Sequence, residues 1–375
     1  MSQAATTRGV PGAALGTLLE VRSLSLDFTS PKGRIHALRD ISVAVPKGRI
    51  VGVVGESGSG KSTLAYAIIR LLAENAIITR GEVLLEGDDL LRLSPRQMRD
   101  VRGRRMSMIF QDPMTSLNRV LSVDDHMIDI QYRDSVSKAE KRRRAIKALG
   151  HVGIPDPESR IRNYPHQFSG GMRQRICIAM AMLVEPDLIL ADEPTTALDA
   201  TMEVQIINLL KRLQSELGCS ILFVSHHLGT VAELCDDVVV MYAGEVVERG
   251  SVRDIFHQPG HPYTQALLEC DPGRIRERTR RLPTIPGNVP SLLAGEVPGG
   301  CIFKDRCPYV FDRCQLERPP HYTVVAGVDE GRADGDDTLA AHTARCHLRD
   351  PGEASRDRES RDIRQARDKA AGGHP

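Results

Sequence analysis

Residues 50–69 read Ile50-Val51-Gly52-Val53-Val54-Gly55-Glu56-Ser57-Gly58-Ser59-Gly60-Lys61-Ser62-Thr63-Leu64-Ala65-Tyr66-Ala67-Ile68-Ile69. An apolar run leads into a Gly-rich loop, and a helix-compatible run follows it. The loop has the spacing G-x-x-x-x-G-K-S, from Gly55 to Ser62. Glycines allow successive backbone N–H groups to turn inward around a phosphate chain, and the N-terminus of the next helix adds partial positive charge. Lys61 can reach the β- and γ-phosphates, and the Ser62 hydroxyl can ligate Mg²⁺. Gly55, Glu56, Ser57, Gly58, Ser59, Gly60, Lys61, Ser62 and Thr63 are therefore candidate ATP-binding residues. A turn that merely ends a strand would not require all of these positions in this context.

The chain has 375 residues, which suits two or three domains. A hydrophobic share of 41% with 26% charged residues points to a globular protein. The net charge of +1 implies no field that would collect nucleic acid, so no nucleic-acid partner is expected. Residues 1–16 have neither a basic segment nor an apolar one of the kind a signal peptide needs. No apolar run approaches the roughly 18 residues of a membrane span. A cytosolic location is expected, with thiols reduced or metal-bound.

Outward from the loop, residues 17–54 alternate like strands, punctuated by turns at Pro31-Lys32-Gly33 and Pro46-Lys47-Gly48. A small antiparallel sheet is expected there, and Gly81–Gly87 reads as another short strand pair. Phe28 is the aromatic best placed to stack on adenine; an ordinary strand-core role is the alternative. Met106–Phe110 is a strand that ends at Gln111-Asp112-Pro113. Residues 122–168 are mostly helical in composition. The basic run Lys138–Arg144 reads as a solvated face, with a nucleic-acid contact as the lesser alternative.

Phe168-Ser169-Gly170-Gly171-Met172-Arg173-Gln174-Arg175 opens a long helix that stops near Pro186-Asp187. Leu188-Ile189-Leu190-Ala191 is a short apolar run that ends in Asp192-Glu193, the pattern of a buried parallel strand. Val204–Leu217 reads as an amphipathic helix ending at Gly218. Ser220–Ser225 is a second buried strand, ending at His226. From about Ser251 proline becomes frequent and a small, loop-rich appendage is expected. The composition of residues 349–375 predicts disorder.

The phosphate loop, Gln111, Asp192-Glu193 and His226 all fall at strand ends. In a parallel sheet covered by helices, ligands bind at those ends, so distant residues can meet on one nucleotide. Asp192 suits Mg²⁺ bound through water. Glu193 can act as general base toward the attacking water. Gln111 can bridge Mg²⁺ and that water, and His226 can hydrogen-bond the γ-phosphate.

This series resembles the nucleotide-binding subunits of ATP-binding-cassette (ABC) transporters. It contains Walker A at Gly55–Ser62, the Q-loop Gln111, the signature Ser169-Gly170-Gly171-Met172-Arg173-Gln174, Walker B at Leu188–Asp192, and catalytic Glu193. The D-loop Ala197-Leu198-Asp199 and the switch His226 complete it, in the expected order over residues 17–250. The resemblance implies an α/β fold, the P-loop NTPase ABC cassette: a parallel sheet core with an antiparallel β subdomain and a helical insert. It implies catalytic roles for Glu193, His226 and Gln111, and Mg²⁺ held by Ser62, Gln111 and Asp192. It also implies that Ser169, Gly170, Gly171 and Met172 act in trans on the ATP of a second ATPase subunit. That subunit is expected to be a paralogue.

Phe110–Asn118, His261–Leu268, Ile285–Pro290 and Cys301–Cys307 resemble the oligopeptide, dipeptide and nickel importer branch. The expected organisation is a flexible N-terminus (1–16), a cassette (17–255) with a helical subdomain at about 112–168, an extension (256–348) and a disordered tail (349–375). Two transmembrane permease subunits and an extracytoplasmic solute-binding protein are the further implied partners. His227 departs from the branch, which usually has Asp there, and residues 327–337 form an acidic insert.

Cys301, Cys307, Cys314 and Cys346 are four potential thiolate ligands. Their spacing lacks the C-x₂-C pairs of common zinc sites. Some members of the branch hold a [4Fe–4S] cluster there. Zinc with His347 as a spare ligand, and plain thiols, are the alternatives. A soluble cassette ATPase of translation or DNA repair is the competing function, and a metal-sensing role for the Cys-rich part is compatible with transport.

Overall fold

The computed structural model describes residues 16–196, 198–271, 273, 283–324 and 341–352. The expectations for the N-terminal residues before 16, for Ala197 of the D-loop, for the insert at 327–337 and for the tail from 353 lie outside the described residues.

Two sheets carry the chain. β1 (Thr17–Ser30), β2 (Gly33–Pro46), β4 (Ala76–Leu85) and β5 (Asp88–Asp89) make an antiparallel sheet in the order β2-β1-β4-β5. The second sheet contains β3 (Ile50–Val54), β6 (Met106–Ile109), β7 (Leu188–Asp192), β8 (Ser220–Ser225), β9 (Asp237–Tyr242), β10 (Glu245–Ser251), β11 (Tyr322–Thr323) and β12 (Thr343–Ala344). Its order is β11-β12-β10-β9-β3-β8-β7-β6. β9, β3, β8, β7 and β6 are mutually parallel, and β10, β12 and β11 add antiparallel partners.

Burial explains the sequence pattern. Every residue of β3, β7, β8 and β9 is buried, so these strands read as apolar runs without alternation. β1 alternates more, because one of its faces meets solvent. The expected strand at 81–87 is the end of a longer one. β4 begins at Ala76 and pairs antiparallel with β1 from Phe28 to Leu19.

The helix Lys61–Ile69 follows β3 through the loop, and Gly60 at φ 99° makes the left-handed entry that glycine adopts without strain. The helix Gly170–Leu183 is capped by Ser169, whose hydroxyl accepts from the Met172 N–H. The amphipathic helix expected from Val204 begins earlier, at Ala200. Asp199 caps it by accepting from the Met202 N–H, and it ends at Gly218 with φ 66°. Between β6 and Ser169 lie four α-helices, Pro113–Ser116, Val123–Asp129, Lys138–His151 and Pro157–Arg160, and one 3₁₀ turn, Pro165–Gln167. Three arginines of the basic run are engaged with carboxylates: Arg142 with Asp124, Arg143 with Glu140, and Arg144 with Asp134 and Glu140.

The extension is not an appendage beside the core. β12 pairs with β10, and Cys301, Ile302, Phe303 and Cys314 belong to the same apolar cluster as the helix Gly170–Leu183 and strand β8. Two buried carboxylates on β10 anchor it. Glu248 accepts from the backbone N–H groups of Gly260 and His261 and faces His342 at 2.7 Å. Glu245 faces Arg39, Arg318 and Arg345. A carboxylate that lies in the core needs such partners to offset its desolvation.

Candidate functional site

Four parallel strands deliver the site from one edge of the sheet. β3 ends in the phosphate loop, β6 runs toward Gln111, β7 ends at Asp192 with Glu193 next, and β8 leads to His226. A cavity of 1170 Å³ opens there. Gly55–Gly58, Gly60–Thr63, Gln111, Glu193 and His226 line it.

Lys61 is almost fully buried, and its ammonium donates to the carbonyls of Gly55 (2.9 Å) and Glu56 (3.0 Å). Burial pushes its pKa down, against the pull of Glu193, Asp192 and Glu56. The Ser62 hydroxyl donates to Asp192 at 2.8 Å. Burial raises the Asp192 carboxyl, while the Ser62 hydrogen bond opposes the rise. Of the three residues expected to share Mg²⁺, Ser62 and Asp192 are thus already in contact, while Gln111 bonds Glu193. Two oxygen donors, one a buried carboxylate held beside a lysine, suit a hard divalent cation.

Glu193 has φ 44°, left-handed for a residue with a side chain, and its N–H donates to the Val224 carbonyl. That conformation costs about 1–2 kcal/mol and turns the carboxylate into the cavity. There it accepts from Gln111 Nε2 (3.1 Å) and Thr196 Oγ1 (2.9 Å) and faces His226 Nδ1 at 3.1 Å. Gln111, Glu193 and His226, far apart in sequence, form one connected group.

Several expected residues do not line this cavity. Phe28 does not line the cavity; it packs against the core next to Ile35, and the apolar lining includes Ile35, Ala37 and Leu292. Ser59 is buried beneath the loop. Ser169 and Gly170 are exposed, and none of Ser169–Met172 lines this chain's own cavity.

Sequence reading missed several residues. Tyr263 Oη accepts from the Glu56 N–H at 2.8 Å, and Arg306 binds the Glu56 carboxylate. Glu203 lines the cavity and accepts from Thr195 and Thr230. Tyr263 and Arg306 lie in stretches that mark the importer branch but not an ATP contact, and no local pattern marks Glu203.

The ABC transporter family model matches residues 38–196, and the model for the oligopeptide/dipeptide transporter C-terminal region matches residues 247–314. A probable peptide ABC transporter ATP-binding protein of Sinorhizobium fredii is 48% identical over 318 residues, covering 84% of this chain and 93% of that protein. This chain belongs to the ABC transporter ATPases. The oligopeptide transport ATP-binding protein OppD of Salmonella typhimurium is 44% identical over 320 residues, with 85% and 94% covered. The dipeptide transport ATP-binding protein DppD of Bacillus subtilis is 45% identical over 325 residues, with 84% and 96% covered. Among solved structures, the dimeric post-hydrolysis state of the ATP-binding cassette MJ0796 bound to ADP and Pi superposes with a TM-score of 0.57 at 28% identity. It spans 63% of this chain and 99% of that one. ATP and Mg²⁺ are the substrate and metal expected of such an ATPase. Among the described residues no helix is long and apolar enough to cross a membrane.

The four cysteines of this ABC ATPase's extension share one neighbourhood. The Cys301 N–H donates to the Cys314 carbonyl at 2.8 Å. Burial pushes the Cys301 and Cys346 thiols up to about 12, and the other cysteines of the group push the same way. Cys307 is raised as well. His347, the spare ligand of the zinc alternative, spends Nε2 on the Glu317 carbonyl. Among the described residues no group of three or more His, Cys, Asp or Glu side chains is placed to hold a metal ion. The expected [4Fe–4S] cluster therefore finds no support in the fold.

Proposed function

We propose that this ATPase energises uptake of di- or oligopeptides, or related small solutes, at the cytoplasmic face of a membrane. The observation that carries the reading is the joint presence of the assembled ATP cavity and an extension of the oligopeptide/dipeptide type that packs into the cassette core. The relatives named for peptide transport support it. The same extension counts against a soluble ATPase of translation or repair.

In this reading the phosphate loop, Gly55–Thr63, wraps the triphosphate, and Lys61 leaves the loop carbonyls to meet the β- and γ-phosphates. Ser62 and Asp192, with Gln111, hold Mg²⁺, which supplies positive charge to the phosphate oxygens when bound. Glu193 takes the proton of the attacking water, aimed by Gln111 and His226. The exposed Ser169 hydroxyl keeps its own hydrogen free while it caps its helix, so it can donate to the γ-phosphate of the opposing subunit. Two ATP molecules are then shared between this chain and a second, paralogous ATPase. Helices between Gln111 and Ser169 meet two permease subunits, and a solute-binding protein delivers cargo. The cluster on Cys301, Cys307, Cys314 and Cys346 rests only on four thiols in one neighbourhood, and iron and sulfide content of protein purified without oxygen tests it.

Uptake of labelled peptides by cells that lack and then regain the gene tests the whole. Expected is loss of uptake that the native gene restores and the Lys61→Ala gene does not. Unchanged peptide uptake without the gene removes the peptide reading and leaves the ATPase intact.

A further inference from the structure

Arg306 lies in the extension, 250 residues from Glu56, the second residue of the phosphate loop. Its guanidinium is fully engaged. Nη1 and Nη2 grip the two Glu56 carboxylate oxygens at 2.7 and 3.1 Å. Nη1 also donates to Tyr242 Oη at 3.3 Å, Nη2 to the Ile285 carbonyl at 3.0 Å, and Nε to the Pro286 carbonyl at 2.9 Å. All five N–H donors of the fork are used. Only 4% of the side chain is exposed. The bidentate pairing fixes direction as well as charge.

The backbone of Glu56 is held from the same side. Tyr263, on the helix Pro262–Glu269, accepts its N–H. Tyr242, Tyr263 and Phe303 pack as one aromatic group, with ring centroids 4.6–5.4 Å apart. Arg306 lies over the Tyr242 ring at 5.6 Å. Tyr242 ends β9, the strand beside β3.

A carboxylate in a loop that must bind a triphosphate is a liability. Free, it repels the phosphates and competes for Lys61, whose charge already feels Glu56. Bound to Arg306, it is neutralised and drawn toward the extension. We propose that Arg306 is a positioning residue of the ATP site: by clamping Glu56 it keeps that carboxylate off Lys61 and holds the phosphate loop in its binding shape. The extension is thereby a working part of the nucleotide site. This rests on the reading of Gly55–Thr63 as the ATP-binding loop.

The experiment measures Mg-ATP affinity of the full-length chain by calorimetry, with melting temperatures, for wild type, Arg306→Gln, Glu56→Gln and the double variant. Wild type must bind ATP, and failure there overturns the ATP-site reading itself. With wild type binding, Arg306→Gln is expected to weaken ATP about tenfold or more, the scale of one charge-assisted hydrogen-bonded pair. Adding Glu56→Gln is expected to restore most of that loss, because the repelling charge is gone. A merely structural Arg306 would lower the melting temperature and leave the affinity of the folded chain at the wild-type value. Unchanged affinity in Arg306→Gln, or a double variant as weak as the single, overturns the proposal. Where Arg306→Gln does not fold, Arg306→Lys keeps the charge and loses the fork; an affinity equal to wild type there is the contrary result, and a loss recovered by Glu56→Gln the supporting one.

Discussion

His226 and His227 are consecutive in the chain and face different carboxylates: His226 Nδ1 lies 3.1 Å from Glu193, and His227 Nδ1 lies 3.5 Å from Glu203. The adjacent threonines repeat the division. Thr196 donates to Glu193 at 2.9 Å, and Thr195 donates to Glu203 at 2.9 Å. Two carboxylates thus hold the same two loops side by side, and the second also accepts from Thr230 at 3.1 Å. Glu203→Ala releases three partners at once while leaving the first group whole. The expected result is a kcat for ATP lowered roughly tenfold with KM changed less than twofold, as two or three lost hydrogen bonds of about 1 kcal/mol would loosen the switch loop. Steady-state ATPase assays of the assembled transporter read both constants. An unchanged kcat would confine Glu203 to bracing that the loops do not need.

Glu193 accepts two hydrogen bonds and faces a histidine, so Glu193→Gln can keep the shape of the group and lose only the base. Hydrolysis is expected to fall by at least about a hundredfold, the usual worth of a positioned general base. ATP binding should persist. Retained nucleotide after gel filtration, with the partner subunit's site also disabled, checks this. Normal turnover would take the base role from Glu193.

Gly55 and Gly58 occupy the same loop and should respond differently to alanine. At Gly55, φ is 153°, and an added Cβ would come 2.1 Å from the Met241 carbonyl oxygen, a backbone atom that cannot swing aside. At Gly58, φ is 78° and the space is open. Gly55→Ala is expected to abolish ATP binding by displacing the loop from β9. Gly58→Ala should cost only about 1–2 kcal/mol of left-handed strain and retain binding. Fluorescent nucleotide titration separates the two.

The parts that chemistry dictates locally were legible in the sequence. Phosphate wrapping requires glycines before Lys61-Ser62, and fully covered parallel strands require the unbroken apolar runs before Asp192 and His226. What sequence could not show is contact set by tertiary packing. Arg306 and Glu56 meet only because β10 and the helix Pro262–Glu269 bring the extension back across β9. Glu203 reads as one more polar residue on an amphipathic helix. For Phe28, strand alternation reveals the face of the residue and not which cavity that face meets. The start of the helix at Ala200 was missed for a similar reason: its first turn is held by the Asp199 cap rather than by apolar spacing.

The extension should come loose in acid, and two histidines set the window. His261 is fully buried, and burial pushes its pKa down to about 4. Its Nδ1 accepts from the Tyr263 N–H at 3.0 Å, which requires the neutral ring. His321 is pushed down to about 3, by burial and then by Arg345. Unfolded, both rings titrate near 6.5, so the unfolded chain binds more protons between that value and the folded ones. Stability from these groups is therefore complete above about pH 6.5, and each histidine removes up to about 1.4 kcal/mol for every pH unit below it. The loss from His261 levels off near pH 4. A control that isolates His261 is needed. His261→Asn supplies one, because its carbonyl can still accept from the Tyr263 N–H and it does not titrate. Melting temperature by circular dichroism is expected to fall between about pH 7 and pH 4 in the wild type, and to fall less steeply in His261→Asn. Equal slopes would mean that His261 is already charged in the folded extension.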